Sequence, residues 1–338
     1  MRDPFFTRTI LDWYAANGRD LPWRHTRDPY AIWLSEIILQ QTRIAQGLAY
    51  WERFMARFPD VHALAAASED EVLRLWEGLG YYSRGRNLLA AARQIETLGA
   101  FPDTIEGIRQ LKGVGDYTAA AIGSIAFDLQ AAVVDGNVYR VLARYFGIGT
   151  PVGSGTAKKE FTELAQSLLP ETRPGDFNQG MMDFGATCCT PASPNCLFCP
   201  LAGQCTALRQ GRVAEFPVKK TALKIRERRL RWVYLRCMGE TAIRRRGPGD
   251  IWQGLWEPYA EEGSETVLPE SQEMKLIKKE VRHQLTHQRL TADFYLLECR
   301  QKPVLPDGYI WIPEERLGDF GKPRLFELLL KALAEFAG

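Results

Sequence analysis

Leu111-Lys112-Gly113-Val114-Gly115-Asp116-Tyr117-Thr118-Ala119 reads as a tight glycine turn that opens directly into a helix. The exposed amides of such a turn, at Gly113 and Gly115, and the helix N-terminus behind them can accept a phosphate oxygen. Taken by itself, a G-x-G is equally a plain connection between helices. Downstream, Val133-Val134-Asp135-Gly136-Asn137-Val138 sets an acid beside a glycine in front of another helix. Asp135 there can be a helix N-cap or a working carboxylate. Further on, Cys189, Cys196, Cys199 and Cys205 stand at C-x6-C-x2-C-x5-C, separated by the turn formers Thr190, Pro191, Pro194, Asn195, Pro200 and Gly203. Four thiolates this close point to a metal centre, and spacing leaves structural zinc and an iron–sulfur cluster both open.

The 338 residues, 46% of them hydrophobic, suffice for two or three folded units with a sizeable core. Seven cysteines, four of them in one cluster, do not look like a secreted disulfide framework, and the N-terminal twenty residues lack the apolar stretch of a signal peptide. A reducing, cytoplasmic setting is therefore expected. No run approaches the eighteen or so apolar residues of a membrane helix. The formal charge is only +2, but residues 206–250 hold 13 Lys and Arg against four acids, a local +9. Such a stripe suits a phosphate backbone, or it is a solvated linker face.

Up to Arg209 apolar residues recur at helical spacing, as in Ile32-Trp33-Glu36-Ile37-Gln40, Val72-Leu75-Trp76-Leu79 and Ala119-Ile122-Gly123-Ala126. Pro59-Asp60, Ser68-Glu69-Asp70-Glu71 and Asp103-Thr104-Ile105-Glu106 carry helix-start signals, the last two with a capping-box acid. After the basic, proline-bearing 216–220 stretch the pattern alternates, over Leu230–Cys237 and Leu290–Leu297, as strands do. An amphipathic helix is expected from about Arg324 to Phe336. The expected organisation is an all-α domain over residues 1–210 with a cysteine loop at 189–205, a basic linker over 211–228, and an α/β domain over 229–338.

Taken together, L-K-G-V-G-D-Y-T, then V-V-D-G-N-V, then the four-cysteine loop resemble the helix-hairpin-helix DNA glycosylase superfamily. The N-terminal half resembles its adenine DNA glycosylases in three stretches: Leu21-Pro22-Trp23-Arg24 with the 29–42 segment, Trp76–Arg84, and Asn178–Ala186. The resemblance covers nearly the whole chain. It implies a multidomain α and α+β protein: an all-α helix-hairpin-helix glycosylase domain with an iron–sulfur cluster loop, followed by a Nudix-like α/β C-terminal domain. It implies that Cys189, Cys196, Cys199 and Cys205 hold a [4Fe–4S] cluster of structural or redox-linked rather than catalytic role.

The resemblance also implies the chemistry. Breaking the bond from adenine to its sugar needs a proton on the base and negative charge near the sugar. Glu36 would protonate adenine N7, its pKa raised by Ile32, Trp33 and Ile37. Asp135 would stabilise the oxocarbenium-like sugar, or trap it transiently, before water attacks, with Asn137 and Tyr117 orienting Asp135 and the sugar. Leu21, Trp23 and Arg24 would line the adenine pocket. Gln41 and Tyr81 would fill the gap left by the flipped base. Bifunctional relatives carry a lysine where this chain has Tyr117, and a phenol cannot form the Schiff base that cuts the strand, so a monofunctional enzyme is expected; Lys112 nearby would be the source of any weak adventitious lyase activity.

Residues from about 229 resemble the family's Nudix-like domain, with Asp250–Glu257 as the best-matching strand. No R-E-x2-E-x2-G metal-binding helix follows Glu257, so binding rather than hydrolysis is expected. The family's F-S-H hairpin, which reads 8-oxoguanine, corresponds here to Leu285-Thr286-His287: the aromatic is lost and a hydroxyl is kept. The expected partner is duplex DNA with adenine opposite 8-oxoguanine or guanine, bound by a monomer at a bacterial nucleoid, with no membrane. Two other classes compete. An endonuclease III-like glycosylase/lyase is disfavoured by Tyr117 and the long second domain, and an inactive iron–sulfur DNA-binding protein by the presence of both Glu36 and Asp135.

Overall fold

The computed structural model describes residues 3–219, 225–261, 274–285 and 287–337. The described chain divides into two compact units, one of residues 1–66 and 90–221, the other of residues 67–89 and 222–338. The second unit thus takes in a stretch, 67–89, that the sequence pattern groups with the helices before it.

The first unit is helical. Its elements are α1 (Pro4–Asn17), α2 (Pro29–Leu39), α3 (Ile44–Arg57) and α4 (Val61–Ala65), and, beyond α5 (Glu69–Leu75) and α6 (Ser83–Leu98), α7 (Ile105–Arg109), α8 (Asp116–Ala126), α9 (Gly136–Phe146), α10 (Gly155–Leu168), α11 (Pro174–Thr187) and α12 (Thr206–Arg209). Caps fix where several begin. Asp28 accepts from the Tyr30 amide at 3.0 Å with Pro29 in the first turn, Asp60 accepts from Ala63, and Ser68 from Glu71. At α7 the cap is Thr104, accepting from Gly107, so the start lies one residue beyond the Asp103–Glu106 capping box expected from sequence. Helix α2 is apolar nearly all round and buried from Tyr30 to Ile38, which makes it a core helix rather than an amphipathic one.

Helix α11 packs on α1 and α9, and α2 on α8. The α9–α11 approach depends on Gly185: a Cβ there would meet Asn137 Cβ at 2.6 Å and the Asn137 carbonyl oxygen at 3.0 Å. Between α7 and α8 the chain reverses through Gly113 (φ +78°), with Leu111 and Val114 buried beneath the turn.

The second unit holds α5, the turn 76–82, the start of α6 and a seven-stranded sheet. Its strands are β1 (Arg226–Cys237), β2 (Glu240–Arg245), β3 (Trp256–Glu257), β4 (Tyr259–Glu261), β5 (Lys275–Gln284), β6 (Gln288–Cys299) and β7 (Tyr309–Pro313), followed by α13 (Arg324–Ala337). The path is β3-β2-β1-β6-β5, with β4 on β1 and β7 on β2. β1 and β6 run parallel in register from Arg226/Gln288 to Cys237/Cys299, and the other pairs are antiparallel. One face of this sheet, with Trp232, Leu290 and Phe294, buries Leu325, Phe326 and Leu329 of α13.

One expected strand is not a strand. Within Asp250–Glu257 the backbone turns through Trp252 (φ +61°) and Gly254 (φ +81°), and just Trp256–Glu257 joins the sheet. Where the turn begins, Arg228 and Arg246 grip the Asp250 carboxylate at 2.6 Å each. Those guanidiniums hold the Asp250 carboxyl down at about 2. Thr286 lies outside the described residues, so the expected lesion-reading hairpin is described at Leu285 and His287.

Candidate active site

The strongest convergence of polar groups lies inside the helical unit, in a cavity of about 850 Å³. Three elements bring its chemistry together. Glu36 comes from the middle of the buried α2, Tyr117 from the first turn of α8, and Asp135 from the N-cap of α9. Leu21, Trp23, Arg24, Gln41 and Asn137 line the same cavity. Leu21 and Trp23 are buried, and Gln41 sits at its mouth in a left-handed conformation (φ +57°).

The two carboxyls are held differently. Glu36 is 8% exposed, and burial among apolar neighbours pushes its pKa up to about 7, with the Asp135 charge adding to the rise and the Tyr117 hydroxyl and Arg24 opposing it. Asp135 is also raised by burial, against the pull of donors that prefer it ionised. Its Oδ1 accepts from the Val138 amide at 2.8 Å and its Oδ2 from Asn137 Nδ2 at 2.7 Å. Asp135 is therefore both a helix cap and a cavity carboxylate, and the capping fixes the direction in which the carboxylate points.

Tyr117 is placed otherwise than expected. Its hydroxyl donates to Glu36 Oε2 at 3.2 Å and lies 3.3 Å from Met182 Sδ, so its bonded carboxyl is Glu36, not Asp135. The helical geometry explains this: α8 packs on α2, which carries Glu36. Burial and the neighbouring carboxyls hold the Tyr117 phenol well above its ordinary pKa, so it remains a donor.

Behind Asn137, Arg140 joins α9 to the cysteine loop. It donates to Asn137 Oδ1 (2.8 Å), to the Gly185 carbonyl (2.6 Å) and to the Cys189 carbonyl (2.7 Å). One turn on, Arg144 reaches Cys189 Sγ at 3.4 Å and the carbonyls of Thr190, Pro191, Val213 and Phe216. Cys189, Cys196, Cys199 and Cys205 line a single small cavity, with Cys188 beside them. Among the described residues no three His, Cys, Asp or Glu side chains lie close enough to share a single metal ion. What the loop offers is four thiols around one space, with a guanidinium and backbone amides aimed at the sulfurs.

Tyr81, Gly113 and Gly115 are not part of the main cavity. The glycines form the α7–α8 turn, and Tyr81 lies in the second unit, 47% exposed and left-handed (φ +47°). There it joins Leu285 and His287 around a separate cavity of about 760 Å³, with Trp252, His283 and Arg86. Trp252, left-handed too, stands 6.0 Å from the His283 ring. The turn carrying Tyr81 is tied down locally, by Tyr82 Oη donating to the Lys322 carbonyl (3.0 Å) and by Arg86 donating to the Gln253 carbonyl.

Sequence reading passed over Gln179 and Met182 as site residues. The signal was available, since Gln179, Met182 and Ala186 recur at helical spacing on α11 and all line the main cavity.

Against known proteins, residues 34–171 match the HhH-GPD superfamily of base excision DNA repair proteins, and residues 231–332 match the NUDIX domain. An adenine DNA glycosylase of Buchnera aphidicola is 35% identical over 254 residues, covering 74% of this chain and 73% of that protein. The chain belongs to the adenine DNA glycosylase family. The rat adenine DNA glycosylase is 46% identical over 240 residues, which is 66% of this chain but 46% of the rat protein; the chain thus spans about half the length of the mammalian family members it matches. A solved thermostable thymine-DNA glycosylase is 34% identical, with a TM-score of 0.55 over 61% of this chain and 95% of its own. In the adenine DNA glycosylase family, then, falls a chain whose helical unit holds two unlike carboxyls in one cavity and whose sheet unit holds a second cavity. Among the described residues no helix is long and apolar enough to cross a membrane.

Proposed function

We propose that this chain is a monofunctional adenine DNA glycosylase that removes adenine mispaired with 8-oxoguanine or guanine in duplex DNA. The observation that carries the reading is the pair of carboxyls in the main cavity, with Glu36 near half-protonated at neutral pH. Protonated Glu36 donates to adenine N7, so the base leaves as a neutral molecule. Asp135, aimed by the Val138 amide and Asn137, faces the sugar as positive charge grows on C1′. Water then adds to C1′, and its proton restores the enzyme. Tyr117 holds Glu36 and has no amine to attack the sugar, so the product is an abasic site in an uncut strand.

The second cavity supports the lesion preference. Tyr81, Trp252 and the His287 edge offer stacking surfaces and polar contacts suited to a purine left without its partner. The cysteine loop is proposed to hold a [4Fe–4S] cluster through Cys189, Cys196, Cys199 and Cys205. When bound, the cluster supplies a rigid cross-link of that loop, and a redox centre. The setting proposed is the reducing cytoplasm, at the bacterial nucleoid, and the working form is a monomer.

The test is a glycosylase assay on duplexes with adenine opposite 8-oxoguanine, guanine or thymine and with an oxidised pyrimidine. Adenine release opposite the first two, with strand breaks appearing after alkali, is expected. Pyrimidine release, or breaks without alkali, would favour the endonuclease III-like reading. Iron analysis should return about four irons per chain, and one zinc would refute the cluster.

A further inference from the structure

Asp183 is fully buried, and no part of the excision chemistry above uses it. Its carboxylate serves two arginines that both line the main cavity. Arg24 Nη1 donates to Oδ2 at 2.6 Å and Nη2 to Oδ1 at 2.8 Å; Arg19 contributes its backbone amide (3.0 Å), its Nε (2.9 Å) and its Nη2. The second Nη1 proton of Arg24 goes to the Arg19 carbonyl at 2.9 Å. A guanidinium has five N–H donors in one plane. With three committed on the Nη1/Nη2 edge, the Nε–H and the outer Nη2–H are left on the adjacent edge. The Arg24 side chain is 10% exposed and its guanidinium also lies over the Tyr14 ring at 5.5 Å, so it has little room to rotate.

We propose that Asp183 is a positioning residue of the excision site: it sets the rotation of Arg24 so that one N–H edge serves the bound base, and it keeps the Arg24 charge paired beside Glu36. The inference rests on the reading of Glu36 as the acid. An unpaired cation beside Glu36 would favour the carboxylate and remove the proton that excision needs. Arg24 already pulls Glu36 in that direction, and Asp183 is the carboxylate paired with its guanidinium. The groups acting on Glu36 are Tyr117 from α8, Asp135 from the start of α9, and Arg24; those around Asp183 are Arg19, Arg24 and, more distantly, Tyr14 of α1, which itself feels Asp176 of α11.

The experiment is the pH dependence of single-turnover adenine excision by the full chain, on a duplex with adenine opposite 8-oxoguanine. Asp183→Asn should move the alkaline fall of the rate to lower pH by about one unit, and Arg24→Gln should move it higher. In Arg24→Gln/Asp183→Asn both charges are gone, and the fall should return towards the wild-type position; this pair of variants decides the matter even where Asp183→Asn does not fold. A purely structural Asp183 would lower the melting temperature and leave the fall where it is. The proposal is overturned if Arg24→Gln and the double variant share one profile, or if folded Asp183→Asn keeps the wild-type fall. Absence of excision by wild-type protein would instead refute the assigned function.

Discussion

The two cavities are built on different plans. In the helical unit Glu36, Tyr117 and Asp135 sit on three helices, and each is aimed by a bond to a near neighbour: Asp135 by residues two and three positions on, Glu36 by a phenol on the helix packed against it. In the sheet unit the walls come from residues 78–83, Arg86, 250–253, 283–285, His287 and Gln288, and two wall aromatics, Tyr81 and Trp252, are left-handed. The first plan suits chemistry, which needs fixed acid and carboxylate positions. The second suits recognition, where stacking surfaces accommodate a base and the backbone conformation is held by its surroundings.

The comparison breaks most easily at Glu36. Glu36→Gln keeps the shape and the bond to Tyr117 but cannot donate a carboxylic proton, so single-turnover excision should fall by at least ~10²-fold while duplex binding survives. Asp135→Asn should lose a comparable amount, since its amide still caps α9 but carries no charge to the sugar.

A smaller effect follows in stability. Folding lifts the Glu36 pKa from 4.5 to about 7, so the native state binds the extra proton between those values and stability declines across that window as pH rises. Below pH 4.5 the raised pKa costs nothing, and above 7 it costs its full amount, on the order of 3 kcal/mol. Urea midpoints of wild type and Glu36→Gln should therefore converge at pH 4.5, and the variant should be the more stable at pH 8. A constant difference across the range would mean that Glu36 does not titrate near neutrality in the folded protein.

The smallest effect belongs to the sheet unit. His287→Ala and Trp252→Leu should each reduce the preference for 8-oxoguanine over guanine opposite adenine by about fivefold, the equivalent of ~1 kcal/mol. Excision from the best duplex should persist. If either variant abolished excision outright while remaining folded, the separation between the two cavities would fail.

How much was legible in the sequence follows the same division. The glycine turn, the Asp135 start of α9, the cysteine loop and the strands at 230–237 and 290–297 were readable because each is set by residues close in sequence: a cap, a positive-φ glycine, a period of two. Glu36 by itself reads as an exposed helix glutamate; the family resemblance singled it out, and its apolar neighbours Ile32, Trp33 and Ile37 agree with the burial found. What escaped depends on contacts between distant segments. The partner of Tyr117 is decided by the packing of α8 on α2, and no spacing shows that. Asp250–Glu257 was expected as a strand from the family resemblance, yet it turns, and its Asp250 is paired with Arg228 from a separate strand. Asp183 lay within a stretch quoted for its family resemblance, but its two arginines stand more than 150 residues away.

The central claim is that a protonated Glu36 drives excision, and the pH dependence of single-turnover adenine release tests it most directly. Wild-type protein should release adenine at a steady rate below neutrality and lose rate as pH rises through about 7, following the Glu36 proton. Glu36→Gln should be slow at every pH and show no such fall. A wild-type rate that stays constant well above pH 7, or a Glu36→Gln profile that keeps the wild-type fall, would contradict the account.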